Sequence, residues 1–264
     1  MQRLRVIKQS VIEERRQQIL REWRESWPIP CVVIDDFCDP LRLQRISQAY
    51  PKPEQLNRSR DFVFAKNKFE KNAFKELGPD MSDLYEDLVS DEFREFLSAL
   101  YGRSVFVDPT FHGGGLHMGG QGSYLDMHAD FNVHPLRPNW KRELNILIYL
   151  NEGWRPEYKG QLKLRNALTG GYQEIEPNFN RCVIMLTRDF TLHGYDPINF
   201  PDGTYRKSIA AYAYSELGAD EKLEARTTLW YSDRSRLRRI IGPYVHKLVK
   251  VKNMLFGSGS VHNR

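Results

Sequence analysis

The stretch Gln121–Phe131, QGSYLDMHADF, decides how the rest of the chain is read. It alternates in the manner of a strand, where side chains at i and i+2 leave the same face. His128 and Asp130 therefore point together. An imidazole and a carboxylate side by side supply two ligands of the 2-His-1-carboxylate set that suits non-haem Fe(II). The third must come from a distant part of the chain. His193, in TLHGYD just after the apolar run CVIMLT, is placed for that role. H-x-D by itself is a weak motif, so the surrounding pattern has to carry the reading.

That pattern is one of short strands and turns. SVFVD (104–108) precedes Gly113-Gly114-Gly115 and Gly119-Gly120, which allow tight backbone geometry ahead of the motif strand. After it come ELNILIYLN (143–151), GQLKLRN (160–166), the turn at Gly170-Gly171, YQEIEP (172–177), RCVIMLT (181–187) and RKSIAAYAY (206–214). Strands at this density, separated by Gly and Pro turns, predict a mainly β fold with flanking helices, a barrel or jelly roll. On the last strand Arg206 and Ser208 share a face while Lys207 points away. A guanidinium inside a barrel needs an anion, and its planar fork matches both oxygens of a carboxylate. Arg206 thus implies a carboxylate-bearing ligand.

The N-terminal part is more helical. Leu4, Ile7, Val11, Ile19 and Trp23 recur at helical spacing among charged residues, predicting one amphipathic helix over 2–23. Pro28 and Pro30 end it before the short buried strand Cys31-Val32-Val33-Ile34. Asp39-Pro40 opens a helix running to about Ala49. Residues 51–80 are polar and irregular, fitting a loop or lid, and Met81 to Tyr101 reads as a helix. At the other end Leu237, Ile240, Ile241, Tyr244, Leu248, Val251 and Leu255 predict a C-terminal helix, which Gly242-Pro243 would break or kink.

Length and charge bound the class. A chain of 264 residues can bury a full core, and one domain is expected. It divides into helical and strand support (1–103), a β core (104–216), a C-terminal strand and helix (217–256) and a flexible tail (257–264). No apolar run reaches the ~20 residues that cross a membrane, and the charged N-terminus lacks a signal-peptide core. Cys31, Cys38 and Cys182 cannot all pair and are not spaced for zinc. A cytoplasmic location and no membrane partner are the expectation. The net charge of +5 is dispersed, which speaks against a nucleic-acid groove. The cluster Arg234, Arg236, Arg238 and Arg239 reads first as a solvated face, with an acidic partner as the alternative.

Taken in order, GGGLHMGGQGSYLDMHADF, ELNILIYLNEGW, EPNFNRCVIML and LHGYDPINFPDGTYRKSIAAYAY resemble the Fe(II)/2-oxoglutarate-dependent oxygenases, in their prolyl-4-hydroxylase-like branch. The resemblance runs from about Pro30 to Tyr214 and is strongest between Gly113 and Ser215. It implies a double-stranded β-helix, the jelly-roll core shared with cupins, with His128, Asp130 and His193 as iron ligands. Arg206 would pair with the distal carboxylate of 2-oxoglutarate, Ser208 would assist it, and Tyr124 would line the cosubstrate pocket. The cofactors implied are Fe(II), 2-oxoglutarate and O2, with room for ascorbate. The reaction implied is hydroxylation of an unactivated C–H bond in a prolyl, peptidyl or small-metabolite substrate, releasing succinate and CO2. Asp130 favours hydroxylation, because related halogenases lack this carboxylate.

The chain departs from the family at Lys159-Gly160-Gln161, where Gly-Gly and an acidic residue are usual, and substrate recognition is expected to differ there. His112, His117 and His134 read as loop histidines, with His134 a candidate for substrate contact. Arg181 is read equally as support for the site or as a surface charge, and Trp140 and Trp154 as packing residues. The alternative reading is a cupin-like metal protein acting on an acidic sugar or metabolite without oxygen chemistry. Cupin sites use more histidines and a Glu, and need no R-x-S anchor. The expected partner is a small-molecule or peptide substrate.

Overall fold

The computed structural model describes residues 3–58, 64–218 and 220–232. Five helices precede or flank the sheet: α1 (Gln9–Glu14), α2 (Arg16–Glu25), α3 (Pro40–Gln48), α4 (Pro79–Val89) and α5 (Asp91–Tyr101). The strands are β1 (Cys31–Ile34), β2 (Asn57–Arg58), β3 (Ala65–Lys71), β4 (Phe106–Val107), β5 (Gly115–Ala129) and β6 (Val133–His134). They continue with β7 (Arg137–Tyr149), β8 (Leu162–Asn166), β9 (Tyr172–Ile175), β10 (Cys182–Leu186), β11 (Thr191–Tyr195), β12 (Arg206–Glu216) and β13 (Leu229–Trp230). All the named strands pair antiparallel; eight run in the order β1-β10-β7-β12-β5-β11-β8-β9, and β2, β3, β4, β6 and β13 pair off this path. The sheet is strongly curled, the jelly-roll core expected from the strand pattern.

Period-2 alternation explains how one sheet serves two cores. On β10, Cys182 and Ile184 face the helices, while Val183 and Met185 face inward. On β7, Leu144, Ile146 and Ile148 join the helix-side core and Tyr149 the inner one. On β12, Ile209, Ala211 and Ala213 face the helices, which leaves Arg206 and Ser208 to the interior, where they line a cavity. Lys207 takes the opposite face, as its place in the alternation predicts, with its ammonium 5.2 Å from the centre of the Tyr50 ring.

Three expectations are revised. The helix predicted over 2–23 begins at Gln9 and breaks at Arg15. Ahead of it, the buried carboxylate of Asp87 accepts hydrogen bonds from the backbone N–H groups of Arg5, Val6 and Ile7 at 2.8, 2.6 and 2.8 Å. Those donors are satisfied without a helical turn, and the segment bends at Arg5 and Val6. The helix over Met81 to Tyr101 is two helices, because Ser90 caps α5 by accepting from the Phe93 N–H. Within the stretch read as a loop, AKNKFEK (65–71) forms β3, paired along β5. Its polar composition suits a half-exposed strand covering the free edge of β5. The C-terminal helix, the tail and the arginine cluster at 234–239 lie outside the described residues. Among the described residues, no helix is long and apolar enough to cross a membrane.

Candidate active site

β5 and β11 are neighbours, and their register sets His193 directly opposite His128. Asp130 follows two residues after His128, just past the end of β5. One ligand atom from each of the three side chains lies within 4.8 Å of the others. Asp130 stands 3.5 Å from His128 Nε2 and 3.4 Å from His193 Nε2. The strand pairing thus joins what the sequence keeps far apart.

The surroundings prepare these groups as ligands. His128 Nδ1 lies 2.9 Å from the backbone carbonyl of Asp126, to which its N–H donates, so Nε2 keeps its lone pair. Burial, reinforced by the neighbouring His128, pushes His193 down to about 3 and keeps that ring neutral. Burial alone would raise the Asp130 pKa. The Arg142 guanidinium and the two imidazoles outweigh it and hold the carboxyl well below its usual range. Arg142 Nη2 and Asn145 Nδ2 both donate to Asp130 Oδ2, at 2.9 and 2.8 Å. Oδ1, the atom facing His128, is left to a further partner. Two imidazole nitrogens and one anchored carboxylate fit Fe(II) by donor type.

Arg142 and Asn145 escaped the sequence reading. Asn145 could have been found, since it interrupts an apolar strand on the same face as Leu147 and Tyr149. Arg142 could not. A register shift opposite Ala213 and Tyr214 puts an extra residue into β7, and this turns Arg142 to the cavity side. Its guanidinium carbon sits 3.4 Å from the Tyr212 ring centre and 4.6 Å from that of Phe131.

All these groups line one cavity of about 250 Å³, together with Arg206 and Ser208. Arg206 is 7% exposed. Its Nε donates to the Gly160 carbonyl at 2.7 Å and its Nη2 to the Tyr149 hydroxyl at 3.3 Å. Its guanidinium carbon stands 4.4 Å from the centre of the Tyr195 ring. Among the described residues, every partner is neutral. Gly160, within the Lys159-Gly160-Gln161 segment, therefore holds the arginine itself. Gly160 has a φ of +81°, and a Cβ there would come 2.8 Å from Ile198 and 3.1 Å from the Arg206 side chain.

Tyr124 is not among the residues lining the cavity. The β5–β11 register slips between His193 and Tyr195, and Leu125 lines the cavity instead. Tyr149 and Tyr195 are the phenols beside Arg206. Trp230, which the sequence did not flag, stacks on His128 with ring centres 4.9 Å apart. His117, expected in a loop, sits on β5 and lines the cavity. His134 is buried beside Asp108 at 3.3 Å, packed among Trp140, Tyr214 and His112, and is absent from the lining. Trp140 and Trp154 pack, as expected. Arg181 is an ion-pair partner of Asp35.

Residues 114–214 match the model of the 2OG-Fe(II) oxygenase superfamily. That stretch is a 2OG-Fe(II) oxygenase domain. It is a domain of the 2-oxoglutarate-dependent dioxygenases, whose family uses Fe(II), 2-oxoglutarate and O2. No curated protein matches the chain by sequence. Among solved structures, a prolyl hydroxylase from Trichoplax adhaerens, in complex with a hypoxia inducible factor peptide fragment, is similar with a TM-score of 0.58. The identity is 14%, over 78% of this chain and 93% of that one. A prolyl-4-hydroxylase from Pseudomonas putida gives 0.52 at 16% identity, covering 76% and 98%. HygX from Streptomyces hygroscopicus, with nickel, 2-oxoglutarate and hygromycin B bound, gives 0.51 at 10% identity, covering 76% and 87%. At these identities the likeness is one of fold.

Proposed function

We propose that His128, Asp130 and His193 hold Fe(II) and that Arg206, assisted by Tyr149 and Ser208, binds the distal carboxylate of 2-oxoglutarate. The reaction is hydroxylation of an unactivated C–H bond in a prolyl, peptidyl or small-molecule substrate, with release of succinate and CO2. One observation carries this reading. A three-ligand cluster and a buried arginine whose partners among the described residues are all neutral line the same cavity.

Fe(II), 2-oxoglutarate and O2 supply the oxidising power when bound, and the chain supplies position and shelter. Arg142 and Asn145 tie down Asp130 Oδ2, fixing the carboxylate with its other oxygen toward His128. The Asp126 carbonyl fixes the His128 ring. Gly160 and Tyr149 orient the Arg206 fork, so little ordering remains when a carboxylate arrives. Trp230 and Leu147 contribute apolar wall to the cavity.

The experiment that tests the assignment is a metal and cosubstrate titration of four proteins: wild type, His128→Ala, Asp130→Ala and Arg206→Ala. The expected pattern is loss of metal in the first two variants and loss of 2-oxoglutarate affinity alone in the third. Metal binding that survives in both ligand variants would dismiss the cluster.

A further inference from the structure

The cavity holds one more charged side chain than this function requires. Lys68 reaches it from β3, a strand that contributes nothing to the proposed metal and cosubstrate contacts. Its placement is a built feature of the fold. β3 kinks at Asn67, whose φ is +50°, and the register with β5 jumps between Lys66 and Lys68. Lys68 then pairs with Gly119, where a Cβ would come 2.8 Å from Ser123 Oγ and 3.4 Å from the Tyr195 hydroxyl. The absent side chain lets Ser123 and Tyr195 approach the strand there, and the Lys68 side chain is 20% exposed.

Charge in the cavity is unbalanced. The lining carries three side-chain cations, Lys68, Arg142 and Arg206, against one carboxylate, Asp130. Arg142 and Asp130 neutralise each other, and Fe(II) would neutralise the 2-oxoglutarate dianion. Lys68 and Arg206 remain. Glu70 offsets only one of them; it lies 3.3 Å from Lys68 and is 40% exposed, so solvent and salt weaken its hold. A surplus positive charge persists in the cavity. In addition, Arg142 Nη1 is buried with no hydrogen-bond partner among the described residues. A cavity of this composition favours an anion beyond the cosubstrate.

Resting on the proposed function, we propose that the primary substrate carries an anionic group, a carboxylate or a phosphate, that binds Lys68 in the cavity. Lys68 is then a specificity residue, selecting an acidic substrate over its neutral analogue. It is not part of the cosubstrate site, whose carboxylate belongs to Arg206.

The test uses protein loaded with Mn(II), a redox-inactive stand-in for Fe(II), and saturating 2-oxoglutarate. Small probes are followed by the paramagnetic relaxation of their own nuclei: the methyl protons of acetate and of acetamide, and the phosphorus of inorganic phosphate. Acetate is expected to relax at least fivefold more strongly than acetamide does, or, where the substrate's group is a phosphate, phosphate at least fivefold more strongly than with Lys68→Met. Lys68→Met should remove most of that enhancement and Lys68→Arg should restore it, with 2-oxoglutarate affinity within threefold of wild type in both. Enhancement that persists in Lys68→Met would put the anion on the metal or on Arg142 and overturn the proposal. So would equal relaxation of acetate and acetamide together with phosphate relaxation no stronger than with Lys68→Met, or a parallel loss of 2-oxoglutarate affinity in Lys68→Met. Failure of wild-type protein to bind Mn(II) and 2-oxoglutarate at all would instead overturn the function itself, and the inference with it.

Discussion

Two arginines share the cavity, and they are held in opposite ways. Arg142 is 1% exposed and spends its charge inside the protein, on Asp130 at 2.9 Å. Arg206 is 7% exposed and touches a carbonyl, a hydroxyl and the faces of two aromatic rings. A buried ion pair is stable when its geometry is good, whereas a buried charge without a counter-ion costs several kcal/mol. The contrast separates two tasks. On the proposed function, Arg142 completes the protein's own metal site, and Arg206 is the anchor for an anion from solution.

Mutations can break that contrast or sharpen it. The largest effect is expected from His128→Ala, Asp130→Ala and His193→Ala, each of which should abolish metal binding and turnover while circular dichroism shows the fold retained. Next comes Arg206→Ala. Losing one member of a buried charged pair costs about 2–5 kcal/mol, or roughly 30-fold to several thousand-fold in 2-oxoglutarate requirement. Metal affinity should not move. Arg142→Met should give the mirror pattern, a metal affinity lower by about 10–100-fold, the usual range for a partner of a metal ligand. Its 2-oxoglutarate requirement at saturating metal should be nearly unchanged. Similar profiles for Arg142→Met and Arg206→Ala would erase the distinction. Tyr149→Phe removes one hydrogen bond to Arg206, worth about 1 kcal/mol, and should raise the 2-oxoglutarate requirement several-fold. The smallest effect belongs to Tyr124→Phe, for which steady-state kinetics should match wild type.

How legible this was depended on how far each feature follows regular strand geometry. His128, Asp130, Arg206 and Ser208 were placed by period-2 alternation on undisturbed segments, and the linked motifs marked His193. Where a strand bulges, alternation misleads. The slip near Tyr195 substitutes Leu125 for Tyr124, and the extra residue in β7 turns Arg142 inward. Asn145 left a visible trace as a polar residue in ELNILIYLN, and Tyr149 lay on the same face, yet neither could be tied to a partner before the strands were assembled. β3 was unreadable for a different reason. Its residues are polar, and it is a strand because β5 presents a free edge to pair with. The helix over 2–23 failed because Asp87, far along the chain, takes the backbone donors of Arg5, Val6 and Ile7.

The central claim is that one cavity holds both a metal triad and a separate anchor for the cosubstrate carboxylate. Anaerobic titration of the metal-free protein with Fe(II), then 2-oxoglutarate, tests it most directly, read by the weak visible charge-transfer band of the chelated cosubstrate. The account predicts that the band saturates at one equivalent of each in wild type and is absent in Asp130→Ala. In Arg206→Ala it should need at least thirtyfold more 2-oxoglutarate, with Fe(II) affinity unchanged. A band that forms as readily in Arg206→Ala as in wild type, or that survives in Asp130→Ala, would contradict it.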